Sequence, residues 1–584
     1  MPLIGTAGHV DHGKSTLIQR ITGRDPDRWA EEKRRGLTID LGFAWTTLPD
    51  GTEVSFVDVP GHEKFLKNML AGIEAIDVAL FVVAADEGWM PQSEEHLAVL
   101  DLLEVGRGVI ALTKVDLVEE DLAELAAAET AERLAGTSLE GSEIIPLSAM
   151  TGEGVSALLD ALVAQIPDNR APGSRPRLWV DRSFTLPGAG TIITGTLLDG
   201  GLSVEDVVEV YPRGDRARVR AIQSHERSHQ RIGPGRRVAL NLAGVDHHEV
   251  TRGQMIGLPG QWETTRRFAV SLDLARFVEG IDQRGAYQIH VGTSSHRVEI
   301  IGMRNGIAVL QLDAPLPLTV GDRFILRDTG RKMVVGGGRL LDPAPGRTRQ
   351  SLAASRTIDP SAGPDEVAAR LLELRRLDRA ARLSAHSGGG TARHAVTIGD
   401  QVVEPGLIAA LAEKATALVE HEHQMHPLRP GLPLATLAER LEMDQRIVEA
   451  MVQRGETLVR LGPDIARSGH VAQMSSEDEA AWKLAVARLR EGLSVPEESG
   501  LGVGAEIIHL KVRSGELVRV APALVYLPEQ IEELKQTMAG LPEGFTVAEF
   551  RDAAGLSRKY AVPILEWSDK EGLTVRRGDR RRLR

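Results

Sequence analysis

Residues 8–15 read GHVDHGKS, a glycine-bounded loop ending in a lysine and a serine. A loop of this pattern between a strand and a helix turns its backbone N–H groups toward phosphate oxygens, and the helix start adds its dipole. The apolar stretch LIGTAG precedes it and STLIQRITG comes after it, so the context is the required one. Gly8, Asp11, His12 and Gly13 form the cradle. Lys14 reaches the terminal phosphates, Ser15 ligates Mg2+, and Thr16 bonds a phosphate near the helix start. A glycine turn before an ordinary helix is the competing reading, and the ordered series of motifs downstream weighs against it.

The next apolar strand, VSFVDVPGHEKF, ends on Asp58. An acidic group there holds the magnesium shell. Gly61 lets its amide approach a third phosphate, which makes a sensor for GTP against GDP. His62 is placed to orient a water against that phosphate; an exposed loop histidine is the alternative. Upstream, in RRGLTIDLGF, Thr38 offers a second hydroxyl to the metal. The segments around Thr38 and Gly61 are expected to order around the third phosphate and relax after its loss.

Base choice comes from two later strands. RGVIALTKVDLV places Thr113, Lys114 and Asp116 at its end, and EIIPLSAMTGEG brings Ser148 and Ala149. A carboxylate such as Asp116 accepts the N1 and N2 hydrogens of guanine, a pattern adenine does not offer. The Lys114 stem covers the base plane, and the backbone at Ser148 and Ala149 meets the guanine oxygen. Asp116 alone fits a surface charge; with Ser148 it argues for guanine.

These signals, GHVDHGKST, RRGLTIDLG, DVPGHEKF, TKVD and SAMTG, resemble the GTPase domain of translation elongation factors. The resemblance implies that His62 positions the hydrolytic water. It also implies that Val10 and Leu37 form an apolar gate that keeps the water away until the ribosome acts. Thr113 stands where the general family has asparagine, a departure shared with the selenocysteine-specific branch.

The elements that must carry these groups occupy only the first part of the chain. With 584 residues there is room for several cores. No apolar run is long enough to suggest a membrane span, so no membrane partner is expected. Cysteine is absent, which excludes disulfides and thiolate chemistry. The start shows no signal peptide, so the expected compartment is the cytoplasm. A net charge of -13 argues against a protein coated with nucleic acid but allows a local basic site.

The expected fold is multidomain: an α/β P-loop GTPase domain over 1–170, two small β-barrels over 175–260 and 262–345, then winged-helix (helix-turn-helix) modules. The barrels are inferred from short alternating strands such as VALNL after a Pro/Gly-rich linker. Asp181 and Arg182 sit just before one strand-like run and Arg236 and Arg237 two segments later; solvent-facing charge is the ordinary fate of such residues. In elongation factors the first barrel holds the aminoacyl end of tRNA. The resemblance to the selenocysteine branch assigns Asp181, Arg182 and Arg237, in DRSF and GRRVALN, to the amino-acid pocket. There an arginine faces the selenolate and the aspartate takes the α-amino group. The second barrel, with His290, His296 and Arg331, is implied to contact the tRNA stem.

In the rear, helix, turn, helix and Gly-centred hairpin recur, giving modules over 350–415, 416–474, 475–532 and 535–584. The last differs in charge. Arg558, Lys559 and Tyr560 open its second helix, and Arg576, Arg577, Arg580 and Arg581 lie on or beyond the wing. A basic helix start and a basic hairpin together flank one phosphate backbone. The whole series, through AAGLSRKYAVPILEWSDKEG, resembles the bacterial selenocysteine-specific elongation factors. That implies GTP/GDP and Mg2+ as cofactors. It implies selenocysteyl-tRNA, a selenoprotein mRNA hairpin and the ribosome as partners, and a monomer that exchanges nucleotide spontaneously. The competing readings are a general elongation factor, a non-catalytic RNA-binding protein with a structural nucleotide, and a DNA-binding regulator.

Overall fold

The computed structural model describes residues 2–25, 42–58, 76–167, 173, 175–188 and 190–584. Among them, β1 (Leu3–Ala7), β2 (Gly42–Thr47), β3 (Glu53–Asp58), β4 (Val78–Ala84), β5 (Gly108–Thr113) and β6 (Ile144–Pro146) form one sheet in the order β2-β3-β1-β4-β5-β6. All pairings are parallel except β2 with β3. The sequence reading did not single out β2, the antiparallel edge.

Strands β4 and β5 are largely apolar and buried throughout, as a parallel sheet covered on both faces requires. Their alternation divides the core. Val78, Leu80 and Val82 of β4 face one side with α1 (Lys14–Thr22), while Ala79, Phe81 and Val83 join α2 (Pro91–Leu102) on the other. Two further helices, α3 (Glu120–Leu134) and α4 (Val155–Gln165), complete the layers. The α2 side of this core continues into Ile325 and Val334 of the second barrel.

Each of the two seven-stranded sheets beyond this domain closes on itself. In the first, strand Val207–Tyr211 pairs with Asp215–Ser224; in the second, Thr264–Ser271 pairs with Met333–Asp342. The barrels are clamped together by a buried fork. Arg177 donates Nη1 to Asp322 Oδ1 at 2.5 Å and Nη2 to Asp322 Oδ2 at 2.9 Å. Beside it, the Arg175 guanidinium lies 3.9 Å over the Trp262 ring. Asp181 and Arg182 lie inside strand Arg177–Leu186, at a bulge, and not ahead of a strand as the charge spacing suggested.

Residues 350–404 carry helices Pro364–Arg375 and Ala380–His386 with a three-stranded sheet. The two helices are parted at Arg376, whose φ is 67°, by strand Leu377–Arg379. Arg375 then bridges Asp342 of the second barrel and Asp378, both at 2.6 Å.

Residues 405–584 form a second compact unit. It opens with helix Pro405–Met425. The expected boundary at 415/416 falls inside this helix, because the buried series Leu411, Ala415 and Val419 runs across it at four-residue spacing. The boundary near 532–535 likewise falls inside helix Pro528–Ala539, and one apolar core runs from Leu428 to Leu565. Three helix-turn-helix pairs with hairpins are present among the described residues: Leu434–Leu441 with Gln445–Arg454, the pair ending in Ala505–Arg513, and Val547–Ala553 with Arg558–Lys570.

Candidate functional site

The phosphate loop is bent where its residues allow. Gly8 has φ 125°, and a Cβ there would meet Val82 O at 2.1 Å. Asp11 and Gly13 also have positive φ. Lys14 is buried and donates to Gly8 O at 3.1 Å and His9 O at 2.5 Å. Burial pushes its pKa down to about 8, against the pull of Asp58 and Asp11. Two carbonyls compensate an ammonium only partly, and an anionic phosphate oxygen is the chemistry that completes the set. Ser15 Oγ donates to Asp58 Oδ2 at 2.6 Å, and Thr6 Oγ1 donates to Asp58 Oδ1 at 2.8 Å. A hydroxyl and a carboxylate side by side next to a phosphate cradle suit Mg2+, which prefers oxygen donors. Thr16 is exposed.

Two residues that the sequence reading missed finish the loop. The N–H of Gly8 donates to His96 Nδ1 at 3.0 Å, and that of Val10 to Gln92 Oε1 at 3.0 Å. Both acceptors sit on α2, four residues apart and therefore on one face. Burial drives the His96 pKa down to about 3, helped by Lys14 and His9, so its ring is the neutral acceptor this bond needs. His12 is buried too, its Nδ1 3.2 Å from Val82 O, with its pKa pushed down to about 4 by burial.

On the base side, Thr113 donates Oγ1 to His12 O at 2.7 Å. The threonine thus ties the end of β5 to the phosphate loop directly. Lys114, at φ 61°, reaches Asp86 and Glu87, both at 3.1 Å. Asp116 is exposed, Ser148 is buried and caps Thr151 N at 3.1 Å, and Ala149 packs on the core behind it. Leu37, Thr38, Gly61 and His62 lie outside the described residues.

Between β2 and the first barrel there is a cavity of about 240 Å³, lined by Phe43, Trp45, Thr194, His225 and Arg237 among others. Arg237 Nη2 donates to Asp181 at 2.8 and 2.9 Å, and Thr194 Oγ1 donates to Asp181 Oδ1 at 2.5 Å. The Arg237 guanidinium lies 3.6 Å over Phe43. Asp181 and Arg237 are therefore brought together as a closed pair, with Arg182 half-buried beside them. Arg331 is exposed on the second barrel, where His296 pairs with Asp313, and His290 is buried.

The last module carries a second concavity of about 300 Å³, lined by Arg551, Arg558, Arg576 and Arg581 with Asp579 and Thr546. Arg558, Arg576, Arg577 and Arg580 are exposed. Arg581 does not behave as expected: it is 4% exposed and its Nε donates to Asp569 at 2.8 Å. Strand alternation turns it inward while Arg580 and Arg582 face out. Lys559 is exposed but pairs with Glu497 at 2.7 Å, and Tyr560 is half-buried against the module core. Arg551 was not foreseen; it comes from the first helix of the pair. In the 416–474 module, by contrast, the exposed Arg460 of the wing pairs with Glu449 of the helix.

Known families match three parts of the chain. Residues 1–168 match the "Elongation factor Tu GTP binding domain", 265–347 the "Selenocysteine-specific elongation factor, beta-barrel domain", and 537–583 the "Elongation factor SelB, winged helix". The selenocysteine-specific elongation factor of Desulfomicrobium baculatum is 33% identical over the full length of both chains. That of Escherichia coli strain K12 is 32% identical over all of this chain and 98% of its own. A crystal structure of a bacterial selenocysteine-specific elongation factor superimposes over the whole of both chains with a TM-score of 0.73 at 29% identity. With a P-loop nucleotide domain, two closed barrels and a helix-turn-helix array in one order from end to end, the chain belongs to the selenocysteine-specific elongation factors, P-loop GTPases of translation.

Proposed function

We propose that this protein delivers selenocysteyl-tRNA to ribosomes at internal UGA codons in a GTP-dependent cycle, addressed by an mRNA hairpin held by its last module. The observation that carries the reading is the arginine-lined concavity of residues 546–581, a cationic surface on an otherwise acidic GTPase chain. UGA read-through in a reconstituted translation system, with and without the hairpin downstream, tests it. Read-through indifferent to the hairpin overturns it.

In this cycle Lys14 and the backbone of Gly8–Gly13 hold the phosphates, and Asp116 with Ser148 and Ala149 selects guanine. Ser15, Asp58 and Thr38 would hold Mg2+, which would neutralise phosphate charge. His62 orients the attacking water behind the Val10–Leu37 gate, and ribosome contact opens that gate. Hydrolysis releases the tRNA. His62→Ala should leave GTP affinity nearly intact and slow ribosome-stimulated hydrolysis by roughly 10²–10⁴-fold, since only the chemical step is touched. Single-turnover hydrolysis with saturating ribosomes measures this, and an unchanged rate removes His62 from the mechanism.

The closed Asp181–Arg237 pair suggests how the amino acid is chosen. Selenocysteine carries an α-ammonium and, at neutral pH, a selenolate. It can split the pair by giving the ammonium to Asp181 and the selenolate to Arg237, so each buried charge keeps an opposite partner. Serine has no second charge and leaves Arg237 uncompensated, a loss worth about 1–3 kcal/mol for a partly buried group. Arg237→Ala should therefore cost about ten- to a hundredfold in selenocysteyl-tRNA affinity and far less in seryl-tRNA affinity. Equal losses for both would make Arg237 a general backbone contact.

A further inference from the structure

The tip of one barrel hairpin is built against its own sequence. Strands Asp215–Ser224 and Arg227–His229 pair Ser224 with Arg227, leaving His225 and Glu226 as a two-residue turn. Both have positive φ, 50° and 62°. Such a turn favours Asn-Gly, and side chains like these strain it. The strain is met by contacts with the nucleotide domain. The His225 ring stacks on Trp45 at 4.8 Å with 7° between the planes, and its Nε2 lies 2.9 Å from Ser55 Oγ. Trp45 and Ser55 are direct cross-strand partners on β2 and β3, so one imidazole grips both strands. The Arg24 guanidinium also lies 3.9 Å over the Trp45 ring and reaches Glu226 at 3.8 Å, while Arg227 lies 3.8 Å from Glu53.

The position of this grip matters. Three residues beyond Ser55 on β3 is Asp58, which holds Ser15, and Gly42 of β2 pairs with Asp58 across the strands. The distance along the strand is about 10 Å. In the other direction His225 and Trp45 help wall the 240 Å³ cavity whose far side is Thr194 and Arg237. The metal side of the nucleotide site and the amino-acid pocket thus share the β2–β3 ribbon, and the barrel is fastened to it by His225 at Trp45 and Ser55, by Arg227 at Glu53 and by Arg237 at Phe43.

We propose that His225 is a positioning residue that couples nucleotide state to aminoacyl-tRNA binding by fixing the Arg237 wall of the barrel against Phe43 and Trp45. The proposal rests on the reading of that cavity as the aminoacyl pocket. A displacement of β2–β3 near Asp58 moves Trp45 and Ser55, and through His225 it moves the barrel wall, so the pocket keeps its shape in one nucleotide state only.

The test uses the full-length protein and selenocysteyl-tRNA, with affinity measured in the presence of a non-hydrolysable GTP analogue and of GDP. His225→Gly suits the positive φ and relieves the turn, so the protein should fold at least as well. The ratio of the two tRNA affinities should fall by about tenfold or more, the size of an ordinary coupling. Nucleotide affinities without tRNA should change less than about twofold by the same reasoning. Trp45→Ala should lower the ratio similarly, and the double variant should lower it no further, because both remove one contact. An undiminished ratio in His225→Gly overturns the proposal, as does an equal loss of tRNA affinity in both nucleotide states or additive losses in the double variant. Arg237→Ala tests the pocket separately. If it leaves tRNA binding untouched, the reading of the cavity fails whatever His225 does.

Discussion

Exchanging Arg558, Arg576, Arg577 and Arg580 for glutamine should lower affinity for the cognate mRNA hairpin by roughly a hundredfold or more and flatten its salt dependence by about three log units per log unit of salt. All four are exposed. Arg576 and Arg580 also donate to backbone oxygens of Gly578 and Gly544, which holds their side chains near the wing without removing charge. Each phosphate they neutralise releases counterions, so the change in slope counts the arginine–phosphate pairs that the variant no longer makes. GTP affinity should stay as it was. Arg581→Gln is the contrasting variant. Its guanidinium is tied to Asp569, which also accepts from Thr574 at 2.6 Å, so the loss should appear first as a less stable module. A hairpin titration over several salt concentrations, run beside thermal melting, separates the two effects. An unchanged slope in the fourfold variant would place the RNA clamp elsewhere.

Mild acid should destabilise residues 1–404 strongly. Three buried histidines are held neutral: burial pushes His12 down to about 4, His96 to about 3 and His386 to about 2, the last with Arg375, Arg382 and Arg175 adding to it. Their unfolded value is 6.5. The unfolded chain therefore binds more protons than the folded one below that pH. The stabilisation is fully present above pH 6.5 and is lost as pH falls through 6.5 toward 4 and below. Each group contributes about 1.4 kcal/mol per pH unit inside its window, so at pH 5.5 the three together remove roughly 3–4 kcal/mol. That is a large part of ordinary domain stability. Denaturant midpoints measured from pH 7 to pH 5 should fall steadily; a flat profile would mean that these rings are charged or open to solvent in the native state.

The frame of the phosphate loop was legible where chain order sets it. GHVDHGKS sits between a strand and a helix because glycine and backbone amides dictate it locally, and Thr113 lies at the end of an apolar run. His96 and Gln92 were not legible. They meet the loop from 88 and 82 residues away, and only packing of α2 on the sheet brings them there. Their signal was an i, i+4 polar pair on a helix with a buried face, which many surface helices share. Arg581 could have been read correctly. In a period-two strand its neighbours Arg580 and Arg582 face solvent, so it faces inward. Two of the expected module joins fall inside helices for a different reason. Helices Pro405–Met425 and Pro528–Ala539 connect the modules without a glycine or proline break at the expected joins.

The Arg177–Asp322 fork has a consequence for how this protein comes apart. Neither barrel can unfold alone without breaking this buried two-bond ion pair and the packing around it. Arg375 extends the same rule to residues 350–404 through Asp342 and Asp378. Heated or pulled, these three pieces should yield in one step with one latent heat. A calorimeter would count as a single melting body what the chain's topology draws as three.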